Sequence, residues 1–240
     1  MNKNNVYVLI HSPLVGPLTW SLVAEELRQR NIDVIVPTLV DASDSEEPFW
    51  KQHAESVSQA LANIPKDTFV TLVAHSGAGP LLPAIRAALP NPVKAYVFVD
   101  AGIPRDGAAR LALMNSEDSG WAKEFQAYLE GGGAFPNWSF DDLQEILPDA
   151  ELRAQMVHEL HPRALDFFTE PIPVFKGWPD APCVYILFSE PYKSAEVEAR
   201  KAGWPSYELE AGHFHMLVDA KAVSDLIVEA VDRLKENSQK

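Results

Sequence analysis

The chain has very little cysteine: Cys183 is the only one among 240 residues. That excludes an internal disulfide and any metal centre built from several thiolates. Positive charge is also scarce. Lysine and arginine together number 20 against 34 acidic residues, for a net charge of -14. Such a surface repels phosphate, which argues against nucleic acid and against an anionic membrane as partners. No apolar run reaches transmembrane length. The run Val6–Ile10 is too short for a secretory signal and passes straight into His11-Ser12-Pro13. The expectation is a soluble, cytoplasmic protein. Apolar residues make up 47% of the chain, enough to fill a core and to argue against disorder. The length suits one large α/β domain, or a core with one insertion.

The most informative stretch is Phe69–Pro80, Phe-Val-Thr-Leu-Val-Ala-His-Ser-Gly-Ala-Gly-Pro. A β-rich apolar run stops at His75-Ser76-Gly77-Ala78-Gly79, and a helical pattern follows. A serine between small residues at such a junction fits a strained strand-to-helix turn. The turn exposes the hydroxyl and aims the next backbone N–H groups at the same point. Here Ala74 and Ala78 occupy the positions usually held by glycine.

Further apolar runs at Val6–Ile10, Asp33–Val36, Ala95–Val99, Cys183–Phe188 and Ser206–Leu209 read as strands. Helical spacing follows most of them: around Trp20–Leu27, from Pro48 to about Asn63, over Ala78–Leu89 with a kink expected at Pro83, at Ser194–Ala202, and over Ala220–Leu234 with Asp219 as N-cap. Cys183 opens its run and reads as a small core residue. Strands alternating with helices predict a doubly wound, mostly parallel sheet of about six strands. Residues 104–180 are too long for a crossover, so they read as an inserted helical cap on a core of residues 1–103 and 181–240. Helical patterns are expected there at Trp121–Leu129, Phe140–Ile146 and Leu152–Leu160. Its aromatics include Trp121, Phe125, Phe135, Trp138, Phe140, Phe167, Phe168, Phe175 and Trp178.

Ligands of such sheets sit at the carboxyl ends of the strands. Four features fall there: His11-Ser12-Pro13, Ser76, Asp100, and the loop Ala211-Gly212-His213-Phe214-His215. A serine hydroxyl needs a base, and the base needs a partner that fixes its tautomer. His213 is the natural base. A carboxylate that ends an apolar strand, as Asp100 does, must be hydrogen-bonded, and the His213 Nδ1–H is a fitting donor. His75 and Phe214, beside the serine and the base, are candidate pocket residues, as is Trp138 in the cap.

Over essentially its whole length the chain resembles the α/β-hydrolases, and it is similar to their plant esterase and hydroxynitrile lyase branch. The resemblance rests on His11-Ser12-Pro13-Leu14-Val15-Gly16-Pro17 with Trp20, on Ala74-His75-Ser76-Gly77-Ala78, and on Gly212-His213. It implies a serine–histidine–acid triad and an oxyanion hole formed in part by the Gly77 N–H. Most relatives carry an Asp shortly after the strand preceding the histidine; here that segment reads Leu187-Phe188-Ser189-Glu190-Pro191-Tyr192. Asp100 stands where one type of haloalkane dehalogenase places its acid and is favoured, with Glu190 as the alternative. The family's second oxyanion donor falls on Pro13, which has no N–H. Leu14 N–H or the Ser12 hydroxyl is expected to replace it. Ser76 counts against dehalogenase and epoxide hydrolase chemistry, which use an aspartate nucleophile. Phe214 replaces the lysine that the lyases need.

The resulting expectation is a serine hydrolase of a small, fairly apolar carboxylic ester or lactone, with no cofactor, no metal and a small molecule as partner. A homodimer is compatible with it. The alternatives are a lyase-type enzyme on the same fold, or a ligand-binding or signalling protein with vestigial turnover, which Pro13 favours.

Overall fold

The computed structural model describes residues 5–42, 44–114 and 119–237. The chain runs β1 (Asn5–Ile10), α1 (Leu18–Gln29), β2 (Asp33–Ile35), α2 (Phe49–Ala60), β3 (Phe69–Ser76), α3 (Leu82–Ala88) and β4 (Val93–Ala101). Next come β5 (Ala108–Ala109), α4 (Arg110–Met114), α5 (Ser119–Glu130), α6 (Ala150–His158), α7 (Leu165–Thr169) and β6 (Pro171–Ile172). It ends with β7 (Cys183–Leu187), α8 (Lys193–Lys201), β8 (Ser206–Glu208) and α9 (Ala220–Asn237). Six strands form one sheet in the order β2-β1-β3-β4-β7-β8, every neighbouring pair parallel. β5 and β6 make a separate two-residue antiparallel ladder.

The strands are apolar without interruption because both faces of the sheet are covered. Successive side chains serve opposite cores. Val6, Val8 and Ile10 point to one side with Val70, Leu72, Tyr96, Phe98 and Cys183. Tyr7 and Leu9 point to the other with Val73, Val97, Val184 and Ile186. The second core is closed by α1, through Trp20, Val23, Ala24 and Leu27, and by α9, through Val223, Ile227 and Val231. The first is closed by α2, α3 and α8, through Val57, Ile85 and Ala199. Cys183 is free and buried. Asp219 accepts the Ala222 N–H at 2.9 Å, capping α9. No described helix is long and apolar enough to cross a membrane.

Helices α1 and α2 begin after Pro17 and Pro48, and neither proline supplies a side-chain cap. Their exposed N–H groups are met from the 104–180 segment. Glu159 accepts the Leu18 N–H at 2.8 Å. Glu170 accepts those of Phe49 and Trp50 at 2.9 and 3.0 Å. Glu170 also pairs at 2.8 Å with Arg110, a buried residue of α4. Nearby, Arg163 grips the buried carboxylate of Asp41 with two bonds of 2.7 and 2.6 Å. His53 of α2 adds a third contact to Asp41 at 2.8 Å. Charge is buried here because each group has a partner.

Two local expectations are corrected. The helix after Ser76 does not run unbroken from Ala78. A 3-10 turn at Gly79–Leu81 precedes α3, so Pro83 falls in the first turn of α3, where its missing N–H needs no partner. No kink is required. Residues 140–146 form successive turns rather than a helix. The Leu147 N–H does reach the Leu143 carbonyl at 2.8 Å, but Pro148 disfavours helical geometry at Leu147 and halts the run. Helices α4 and α7 were not legible, being five residues each. Phe125, Phe167 and Phe168 form the small core of the 104–180 segment. Trp178 packs instead against Tyr96, Phe98 and Trp204 below the sheet. The Trp121 side chain lies outside the described residues.

Candidate active site

The site is built at the carboxyl ends of β3 and β4, from two residues with left-handed backbone. Ser76 has φ +56° and Asp100 has φ +45°. Non-glycine residues rarely adopt such values, and they do so mostly where the surroundings over-determine them. At Ser76 the chain turns sharply from β3 into the 3-10 turn. Gly79 makes that turn possible: a Cβ there would lie 2.1 Å from the Gly102 carbonyl oxygen. At Asp100 the β3–β4 register slips. His75 pairs with Val99 but Ser76 pairs with Ala101, leaving Asp100 as an unpaired bulge residue. A bulge re-aims the side chain it carries.

The Asp100 carboxylate is fully buried and has four hydrogen bonds. Its Oδ1 accepts the Phe188 and Ser189 N–H groups, both at 2.9 Å. Its Oδ2 accepts the Ser189 hydroxyl at 2.5 Å and faces His213 Nδ1 at 2.7 Å. Glu190, the alternative acid, sits in an exposed 3-10 turn at Glu190–Tyr192. The serine that precedes it carries the interaction, holding Asp100 rather than replacing it.

His213 is braced from two further sides. Its carbonyl oxygen is 3.0 Å from His75 Nε2, and the two rings lie 4.3 Å apart. The Tyr192 ring stacks parallel to it, 5° off coplanar with centroids 5.0 Å apart. Burial drives the His75 pKa well below the ordinary histidine value, with the nearby His213 adding to the effect. A neutral His75 therefore donates to His213. His75 is fully buried yet borders the cavity beside Ser76, in keeping with its reading as a pocket residue.

The Ser76 hydroxyl is 2.9 Å from the Tyr192 hydroxyl. In this structure that contact, and not one to His213, is its hydrogen bond. Ser76, His213 and Tyr192 border one cavity of about 670 Å³. Its wall is mostly apolar, with Leu14, Met114, Ile146 and Phe168. Trp138 and Phe214 line it as expected, packed edge to face with centroids 5.9 Å apart. Ser12 also borders the cavity. Its Oγ accepts the Leu14 N–H at 3.3 Å and lies 3.1 Å from where a Cβ on Gly77 would stand. Leu14 N–H is thus engaged by Ser12 in this structure, and Leu14 borders the cavity. The Ser12 hydroxyl keeps its own proton to give. Gly77 borders the same cavity.

Tyr192 and Ser189 were missed in the sequence. The available signal is their place directly after β7, at the carboxyl edge of the sheet where the site lies. Arg110 was missed for a different reason: nothing in its neighbourhood marks a buried arginine.

The comparisons with known proteins agree with this architecture. Residues 7–226 match the model of the alpha/beta hydrolase family, and the chain belongs to that family. No curated protein sequence matches it. Solved structures resemble it closely in fold. An extracellular alpha/beta-hydrolase from a Paenibacillus species, described as sharing homology with tobacco salicylic acid binding protein 2, superposes with a TM-score of 0.74 at 20% identity, over 94% of this chain and 98% of its own. Polyneuridine aldehyde esterase gives 0.72 at 17% identity, over 94% and 98%. A pyrethroid hydrolase from Sphingobium faniae gives 0.69 at 16% identity, over 95% and 97%.

Proposed function

We propose that the protein is a serine hydrolase acting on a small, fairly apolar carboxylic ester or lactone. The observation that carries the reading is the 2.7 Å contact between His213 Nδ1 and the buried Asp100, beside Ser76 in a shared cavity. Asp100 fixes the tautomer of His213, so that Nε2 is the base. The Ser76 side chain rotates from Tyr192 toward His213, exchanging one hydrogen bond for another. Ser76 Oγ then attacks the carbonyl carbon while His213 takes its proton. Gly77 N–H and the Ser12 hydroxyl steady the oxyanion. His213 returns the proton to the departing alcohol, and water releases the acyl group by the same path. The apolar wall of the cavity supports an apolar acyl or alcohol part. The esterase and the pyrethroid hydrolase among the similar structures are consistent with this class of reaction.

A binding protein with vestigial turnover is the second reading, favoured by Pro13 and by the Ser76–Tyr192 contact. A fluorophosphonate probe separates the two. The hydrolase reading expects rapid labelling of Ser76, lost in His213→Ala, and loss of p-nitrophenyl ester hydrolysis by about 10⁴-fold or more in Ser76→Ala. Absence of labelling in the intact protein would establish the binding reading instead.

A further inference from the structure

We infer that Tyr192 is a catalytic residue, whose hydroxyl donates a hydrogen bond to the leaving-group oxygen of the ester as its bond to the acyl carbon breaks. This rests on Ser76 acting as the nucleophile. Tyr192 ends the 3-10 turn that follows β7, two residues after Glu190 and three after Ser189. Ser189 anchors that turn to Asp100 through both its N–H and its hydroxyl. The phenol is therefore held by the same contacts that hold the acid, and it is not a passing surface tyrosine. Its oxygen is 2.9 Å from Ser76 Oγ.

Its neighbours define its role. Ser12 Oγ lies 3.1 Å from where a Cβ on Gly77 would stand, so these two oxyanion donors adjoin one another. Tyr192 and His213 adjoin one another too, their rings parallel. When Ser76 Oγ bonds the acyl carbon, the carbonyl oxygen takes the Gly77 and Ser12 donors. The alkoxy oxygen must approach His213, since His213 hands it a proton. The Tyr192 hydroxyl, one hydrogen bond from Oγ and carried by a ring stacked on His213, meets the alkoxy oxygen. Bond formation at Oγ also makes it a poorer acceptor, so the phenol is freed for the substrate.

Tyr192 keeps its proton throughout. The electron pair of the breaking C–O bond goes to the alcohol oxygen, the proton it gains comes from His213, and the phenol gives a hydrogen bond only. Its ionisation is raised well above the ordinary tyrosine value by burial, opposed by the Ser76 hydrogen bond and reinforced by the negative charge of Asp100. A phenol in that state remains a donor.

The test compares wild type with Tyr192→Phe, which retains the ring against His213. Two butyrate esters are used, one of p-nitrophenol and one of benzyl alcohol. Aryloxide departs without help, whereas an alkoxide needs charge relief. The expected result is a loss in kcat/KM of about 30-fold on the benzyl ester and about threefold or less on the p-nitrophenyl ester, the scale of one hydrogen bond to a charged group. Fluorophosphonate labelling of Ser76 should stay within about threefold of wild type, since fluoride needs no such donor. Equal losses on the two esters and on labelling would mean a structural role and overturn the inference. A gain in rate would also overturn it, showing Tyr192 to be a plug on Ser76. If wild type neither labels at Ser76 nor cleaves either ester, the nucleophile assignment itself fails and Tyr192 falls with it.

Discussion

Ser189 holds Asp100 at both carboxylate oxygens, through its N–H at 2.9 Å and its hydroxyl at 2.5 Å. The residue beside it, Glu190, is exposed and takes no part. This arrangement ranks three substitutions. Asp100→Asn should lower kcat by about 10²–10⁴, because the histidine then loses its tautomer control. Ser189→Ala should lower it by about tenfold, since one of four bonds to the acid goes. Glu190→Gln should change it by less than about twofold, as for surface sites generally. Steady-state hydrolysis of a p-nitrophenyl ester measures all three, and a larger effect at Glu190 than at Asp100 would reassign the acid.

Ser12 offers the second test. Its Oγ already accepts the Leu14 N–H, so its own hydrogen is available for the oxyanion. Ser12→Ala should cost about 10²–10³ in kcat with little change in KM, the pattern of a donor used in the transition state. A change confined to KM would make Ser12 a ground-state contact only.

Glu170 is the third. It meets two N–H groups of α2 and neutralises the buried Arg110. Glu170→Ala leaves that cation uncompensated and should destabilise the fold by about 3–5 kcal/mol. Glu159→Ala removes only a helix cap and should cost about 1 kcal/mol. Urea unfolding followed by far-ultraviolet circular dichroism gives both values. Equal costs would show that the Arg110 charge is not the source.

Stability should fall on the acid side. Burial pushes the His11 pKa down to about 4, and it also lowers those of His53 and His75. The unfolded chain binds these protons at about pH 6.5, before the folded chain does. The contribution of these histidines is therefore complete above that pH and is lost as pH falls toward 4. Asp41 acts in the same direction lower down. Burial opposes its charge, but the His53 hydrogen bond and the Arg163 guanidinium hold its pKa below the usual carboxylate range. A drop in Tm of roughly 5–10 °C between pH 7 and pH 4.5 is expected by calorimetry. A flat or rising Tm over that interval would contradict it.

Periodicity made the sheet legible. Uninterrupted runs such as Val6–Ile10 and Cys183–Leu187 announce strands covered on both faces, and their alternation with helices announces a parallel sheet. The small residues around Ser76 announced its turn, and the end of the apolar run Ala95–Val99 at a carboxylate announced Asp100. What escaped were relationships without local pattern. The two-residue ladder of β5 and β6 is too short to have a period. Pro83 was misjudged because its effect depends on where the helix begins. Tyr192 and Ser189 act through partners 116 and 89 positions away, and no spacing along the chain encodes such a meeting.

The carboxylates of Glu159 and Glu170 tie the fate of the 104–180 segment, which walls part of the Ser76 cavity, to that of the helices it meets. Were residues 104–180 to melt first, the opening turns of α1 and α2 would be left bare at the same moment. Segment and helices should therefore come apart in a single cooperative step, and heat should extinguish reactivity at Ser76 and helical structure together.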